Sequence, residues 1–175
     1  PAMKLEDALA IILADVQPVD CVETVPLREA LGRVLVEDVV SQNDVPAHTN
    51  SAMDGNALRG ADLQVVDETR LDLIGVAAAG RPFDGAVGEW QCVRILTGAP
   101  LPTGADTVVM QERVTREDDA AIIGVGQKPG QHVRQAGEDI ARGAVALTEG
   151  TVLMPAALGM LASVGVGEVK IGRAH

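Results

Sequence analysis

Three short stretches of the chain set a carboxylate or hydroxyl beside glycine: Ser51-Ala52-Met53-Asp54-Gly55, Thr97-Gly98-Ala99-Pro100 and Gly137-Glu138-Asp139-Ile140. Glycine lets the backbone bend close to a ligand and aim its N–H groups at an anion, while a carboxylate can hold a divalent cation or a water. From spacing alone, Asp54-Gly55 and Glu138-Asp139 read first as turn and cap residues. The other candidates are weaker. Gly124-Val125-Gly126 with Gly130 imitates part of a dinucleotide fingerprint, but Pro129 blocks the helix that would have to start there. Gly98 and Gly104 have the glycine spacing of a phosphate loop without the Lys-Ser/Thr that must reach phosphate and magnesium. His48 and His132 lie far apart in polar loops with no acidic or cysteine neighbour at metal spacing, which predicts surface histidines rather than a zinc site. Cys21 and Cys92 fall beside or within apolar runs and are expected to be buried, inert, reduced thiols.

The elements that must position these residues follow from periodicity. Leu5, Ala8, Leu9, Ile12, Leu13 and Val16 recur at helical spacing and predict an amphipathic helix over 4–16. A very short helix is expected over 26–32 and a strand from Val34 through Val40. From Ser41 to Gly60 turn formers dominate, so this segment reads as one long functional loop. Short strands are expected at 71–77, 91–96, 107–114 and 120–125, the last two forming one hairpin about Arg116-Glu117-Asp118-Asp119. Strand 144–147, strand 151–154, a helix opened by Pro155 and strand 166–171 complete the chain. Helical signals at the two ends and β signals between them predict a β-rich α+β fold. One domain is inserted into another: 1–43 with 144–175 make a small mixed α/β domain, and 44–143 the inserted β-rich domain.

Composition narrows the function classes. The 175 residues include 47% hydrophobic and 22% charged side chains, which suits a globular chain able to bury a core. Phe83 and Trp90 are the only aromatics, so stacking of bases or sugars on aromatic platforms is excluded as a general mode. A net charge of −11 disfavours nucleic acid and anionic membrane surfaces as partners, so any anionic ligand needs a local site. The chain carries no apolar run of membrane-spanning length and no signal-peptide pattern, which predicts a soluble cytoplasmic protein.

Several motifs together resemble a known family. Asp44-Val45-Pro46, Asn50-Ser51-Ala52-Met53-Asp54-Gly55, the run Ile95 to Asp106, Val108-Val109-Met110-Gln111-Glu112, Val133-Arg134 and Gly137-Glu138-Asp139-Ile140 occur in the order found in the N-terminal half of the molybdopterin molybdenumtransferases. These are the MoeA family, whose eukaryotic relatives are gephyrin E domains. The resemblance spans about residues 4–172. It implies the last step of molybdenum cofactor synthesis, in which molybdate is inserted into adenylylated molybdopterin and AMP is released with magnesium assisting. It further implies a homodimer in the full-length protein, with the molybdopterin adenylyltransferase of the same pathway as an expected partner.

By the same resemblance Asp54, Thr97 and Asp139 stand where the family places functional side chains, with Ser51, Met53, Gly55, Gly98 and Glu138 expected beside substrate. Asp54 and Asp139 would repel molybdate, so either is a candidate to hold magnesium or orient a water. The Thr97 hydroxyl and the Gly98 N–H are candidate donors to a phosphate or oxyanion. The pattern departs at His48-Thr49, where an aromatic-acidic pair is usual, and at Asn56, where an aromatic commonly follows Met-Asp-Gly. The family also continues into an α/β molybdopterin-binding domain and a small C-terminal domain, so this chain reads as an N-terminal fragment expected to be inactive alone. The rival reading is a non-catalytic oligomerisation or scaffolding module.

Overall fold

The computed structural model describes residues 4–16 and 21–172. Along the chain, α1 (Leu5–Asp15) precedes β1 (Val22–Pro26) and β2 (Val39–Val40). Next come β3 (Asn50–Ser51), β4 (Gly55–Leu58), β5 (Thr69–Ala77) and β6 (Gln91–Ile95). They are followed by β7 (Thr107–Met110), β8 (Val114–Glu117), β9 (Ala120–Ile123) and β10 (Val133–Arg134). The last elements are β11 (Val145–Leu147), α2 (Pro155–Ser163) and β12 (Glu168–Gly172). Two compact units result, one made of 1–42 with 143–175 and the other of 43–142.

In the first unit β1 pairs antiparallel with β12, and β2 with β11. Their apolar residues close with α2 over a core of Ala30, Leu35, Leu153, Leu161, Val169 and Ile171. Proline at the first turn of α2 loses no hydrogen bond, because that N–H has no partner in a helix anyway. The helix α1 forms where its periodicity predicts, yet none of its residues is buried. The short helix expected over 26–32 is a single 3-10 turn, Leu27–Glu29. The strand expected from Val34 to Val40 is reduced to β2 and two isolated bridges, Val34 to Val152 and Leu35 to Ile171.

The second unit is built on a six-stranded sheet in the order β7-β4-β6-β5-β9-β8. Laid flat, six strands would set the edges about 24 Å apart. Edge strands β7 and β8 are nevertheless joined by the three residues Gln111–Arg113, a link that reaches about 14 Å at most. The sheet therefore has to curl until its edges approach. Leu58, Leu71, Cys92, Val109, Ala121 and Ile123, with Val114 against them, bring side chains of all six strands into one cluster, which fills the inside of the curl. Alternate residues Ala57, Ala77, Val93, Ile95 and Val108 pack on the other face with Val87, Ala99 and Phe83.

Two expectations fail here for one reason. The loop expected over 41–60 contains β4, all four of whose residues are buried between β6 and β7. The hairpin expected from 107–114 and 120–125 is instead β8 with β9, while β7 pairs with β4. In both cases the partner strand lies far away in sequence. At Gly55 a Cβ would overlap the Val109 carbonyl, so the close pass of β4 over β7 admits only glycine.

Candidate functional site

Asp54 lies in the tight turn between β3 and β4. Ser51, itself buried, shapes that turn: its hydroxyl donates to the Met53 carbonyl at 2.6 Å and accepts from the Met53 N–H at 3.3 Å. The Thr97-Gly98-Ala99 turn locks onto the same residue. Gly98 N–H donates to the Ser51 carbonyl and Ser51 N–H to the Ala99 carbonyl, at 2.9 and 3.0 Å. Gly98 takes φ +79°, a conformation that costs other residues. This clamp sets Thr97 over the aspartate. The Thr97 N–H and its hydroxyl both donate to Asp54 Oδ1, at 2.8 and 2.7 Å.

Those bonds fix the charge state of Asp54. The Thr97 hydroxyl and then its N–H hold the Asp54 carboxyl below its ordinary 3.8 against the opposing effect of desolvation, with the Arg94 guanidinium adding least. No described residue bonds Oδ2. Beside the aspartate lies an open hollow of about 470 Å³ lined by Met53, Asp54, Met110, Gln111, Glu112 and Arg113. Met53 is 42% exposed there, so it is a wall of the hollow and not a core filler.

The second acidic pair is differently committed. Arg134 Nη2 lies 2.6 Å from both oxygens of Asp139, and Arg134 Nε lies 3.9 Å from Glu138. The bond to Asp139, more than any other influence, holds the Arg134 guanidinium protonated more firmly than usual. Glu138 accepts the Gln135 N–H at 2.9 Å and so closes its own loop. Antiparallel pairing of β10 with β3, Arg134 opposite Asn50 and Val133 opposite Ser51, ties this loop to the Asp54 turn.

Of the residues singled out in the sequence, Asp54, Thr97, Gly98, Ser51 and Met53 come together in one place, and Asp139 and Glu138 gather around Arg134. The donors proposed for an oxyanion are already used. Thr97 gives its hydroxyl proton to Asp54, and Gly98 gives its N–H to Ser51. Gly55 belongs to the sheet, and packing against Val109 accounts for it. Sequence reasoning missed Arg134 as the partner of Asp139, although it stands five residues upstream in a quoted motif. It also missed Arg94 and Gln111, which only the sheet brings near Asp54.

Among the described residues no group of three or more His, Cys, Asp or Glu is gathered as a metal site. Magnesium is commonly held through one or two carboxylates plus substrate phosphates and waters. Asp54, ionised and with an oxygen unclaimed, fits such a single-carboxylate contribution, whereas Asp139 is neutralised by Arg134. Burial pushes the Cys92 thiol up to about 11, in line with an inert core cysteine.

A family model described as the MoeA N-terminal region, domains I and II, matches residues 3–165. The chain belongs to the MoeA family. Among its relatives, the molybdopterin molybdenumtransferase of Haemophilus influenzae is 43% identical over 152 residues, which cover 86% of this chain and 37% of that protein. The protein of the same name from Synechococcus elongatus is 36% identical over 169 residues, covering 94% of this chain and 42% of its own. A crystal structure of the molybdopterin biosynthesis moeA protein from Pyrococcus horikoshii superposes with a TM-score of 0.89 at 37% identity, over 95% of this chain and 45% of that one. The β-rich α+β architecture is thus that of MoeA proteins. The chain spans less than half the length of these relatives.

Proposed function

We propose that this MoeA chain supplies part of the active site of a molybdopterin molybdenumtransferase, in which molybdate enters adenylylated molybdopterin and AMP is released. The names of the relatives support the reading. The observation that carries it in this chain is an aspartate held ionised by Thr97 at the edge of an open hollow. A fixed anion there repels molybdate and attracts cations and water protons. Asp54 accordingly acts toward the cation or the attacking water, and Thr97 positions it. Bound magnesium would neutralise charge on the phosphates of the substrate. Arg134 and Asp139 act together as a charged brace that holds the 135–140 loop against β3, and Glu138 and Gln135 close that loop. Met53 lines the hollow, while Ser51 and Gly98 hold the turns that aim Asp54.

The proposal includes a homodimer of the full-length protein, handling substrate from the molybdopterin adenylyltransferase, in the cytoplasm. In the structure itself, among the described residues no helix is long and apolar enough to cross a membrane. The test is Asp54→Asn in the full-length protein, which keeps shape and removes charge. Molybdate-dependent AMP release should fall by about 10²-fold or more in a protein that stays folded. Near-normal turnover would return Asp54 to a turn residue.

A further inference from the structure

We infer that the curled sheet of residues 43–142 carries a second binding site, at the open end of its interior, for a small phosphate-type oxyanion. Most inward positions of the sheet are apolar, as a core requires. At one end the register breaks that rule. Asn56 on β4 stands directly opposite Arg94 on β6, so the two share a face with Leu58 and Cys92. Arg116 on β8 stands opposite Ala121 on β9, which in turn faces Leu71 on β5. The strands β6 and β8 are three positions apart in the sheet, about 14 Å if it were flat. Curling brings Arg94 and Arg116 to line one cavity of about 300 Å³ together with Asn56, Leu73, Gln111 and Ala121.

The charge in this cavity is not balanced from within. Arg33, Arg59, Arg70 and Arg134 each pair with a carboxylate, whereas among the described residues neither Arg94 nor Arg116 has an acidic side chain within ion-pair distance. Neutral acceptors hold them instead. Arg94 Nη2 donates to Gln111 Oε1 at 2.5 Å, and Arg116 Nε donates to the Asp118 carbonyl at 3.2 Å. Of the nearby acids, Glu117 pairs with Arg70, while Asp54 and Glu112 keep their charge and bond neutral donors, Asp54 those of Thr97 and Glu112 the Gln111 amide at 3.4 Å. In a chain of net charge −11, two arginines that line one cavity with no carboxylate at ion-pair distance concentrate positive charge locally. Guanidinium forks match phosphate oxygens two at a time, and side-chain amides can satisfy the remaining ones. Gln111 lines both this cavity and the Asp54 hollow, so the two adjoin through one side chain. The inference stands independently of the transferase reading.

The test is titration of the 175-residue chain with inorganic phosphate and inorganic pyrophosphate, followed by NMR of arginine Nε–H and side-chain amide signals. Saturable shifts are expected at Arg94, Arg116, Asn56 and Gln111. Arg94→Gln and Arg116→Gln should each weaken binding about tenfold or more, while Arg28→Gln, which removes an exposed charge in the other unit, leaves affinity unchanged. If Arg94→Gln fails to fold, Arg116→Gln on the edge strand decides alone. Absence of saturable shifts, or equal weakening by Arg28→Gln, would overturn the site.

Discussion

Asp54 and Thr97 are 43 residues apart, yet one threonine supplies two donors to one carboxylate oxygen. Because the folded carboxyl sits below its ordinary 3.8, whatever stability this pair contributes is complete above that pH. It is lost as pH falls through the lower folded value. Thr97→Val removes the hydroxyl and should move the Asp54 carboxyl back up toward 3.8, read from a ¹³C titration of its carboxyl signal. An unmoved titration would show that another group sets the charge. The Arg134 and Asp139 pair is exposed and screened by solvent, so Arg134→Gln should leave the urea denaturation midpoint nearly unchanged. A marked drop would mean that the brace holds more than its own loop.

Strand β4 shows what a sheet can impose on a weak local sequence. Gly-Asn-Ala-Leu has little intrinsic strand preference and follows a run of turn formers, so it reads as loop. It is nonetheless buried between β6 and β7, because small residues are what two close neighbours accept. Gly55→Ala should therefore cost about 1–3 kcal/mol by forcing a methyl into the Val109 carbonyl, measured by urea unfolding. A neutral result would show that β4 and β7 can move apart freely. The elements that were legible are α1, from its apolar periodicity, α2, from the proline that opens it, and the short apolar strands β5, β6, β9, β11 and β12. The end of β7 was not legible as a crossing, because nothing local shows that the polar Gln111-Glu112-Arg113, a 3-10 turn in the structure, carries the chain from one sheet edge to the other.

At the scale of the molecule, residues 43–142 close on themselves. Val45 N–H donates to the Ile140 carbonyl, and Arg142 N–H to Asp44 Oδ1, so the two ends of this unit are tied side by side. With its own core on both faces of the sheet, the segment 43–142 expressed alone should fold, showing dispersed NMR signals and one cooperative urea transition. A molten or unfolded product would mean that the unit depends on the rest of the chain.

Residue types and short-range spacing were enough to establish a β-rich chain, an acidic surface, the absence of aromatic platforms and the motifs that identify a MoeA protein. Those properties depend on composition and on neighbours a few positions away. Long-range pairing depended on tertiary structure. It set Thr97 onto Asp54, used the Gly98 N–H inside the protein, buried Gly55 against Val109 and brought Arg94 and Arg116 from separate strands to one cavity. The physical reason is that hydrogen-bond partners and strand neighbours tens of residues away leave no local periodicity. Their identity is fixed only when the sheet curls to bury its apolar face.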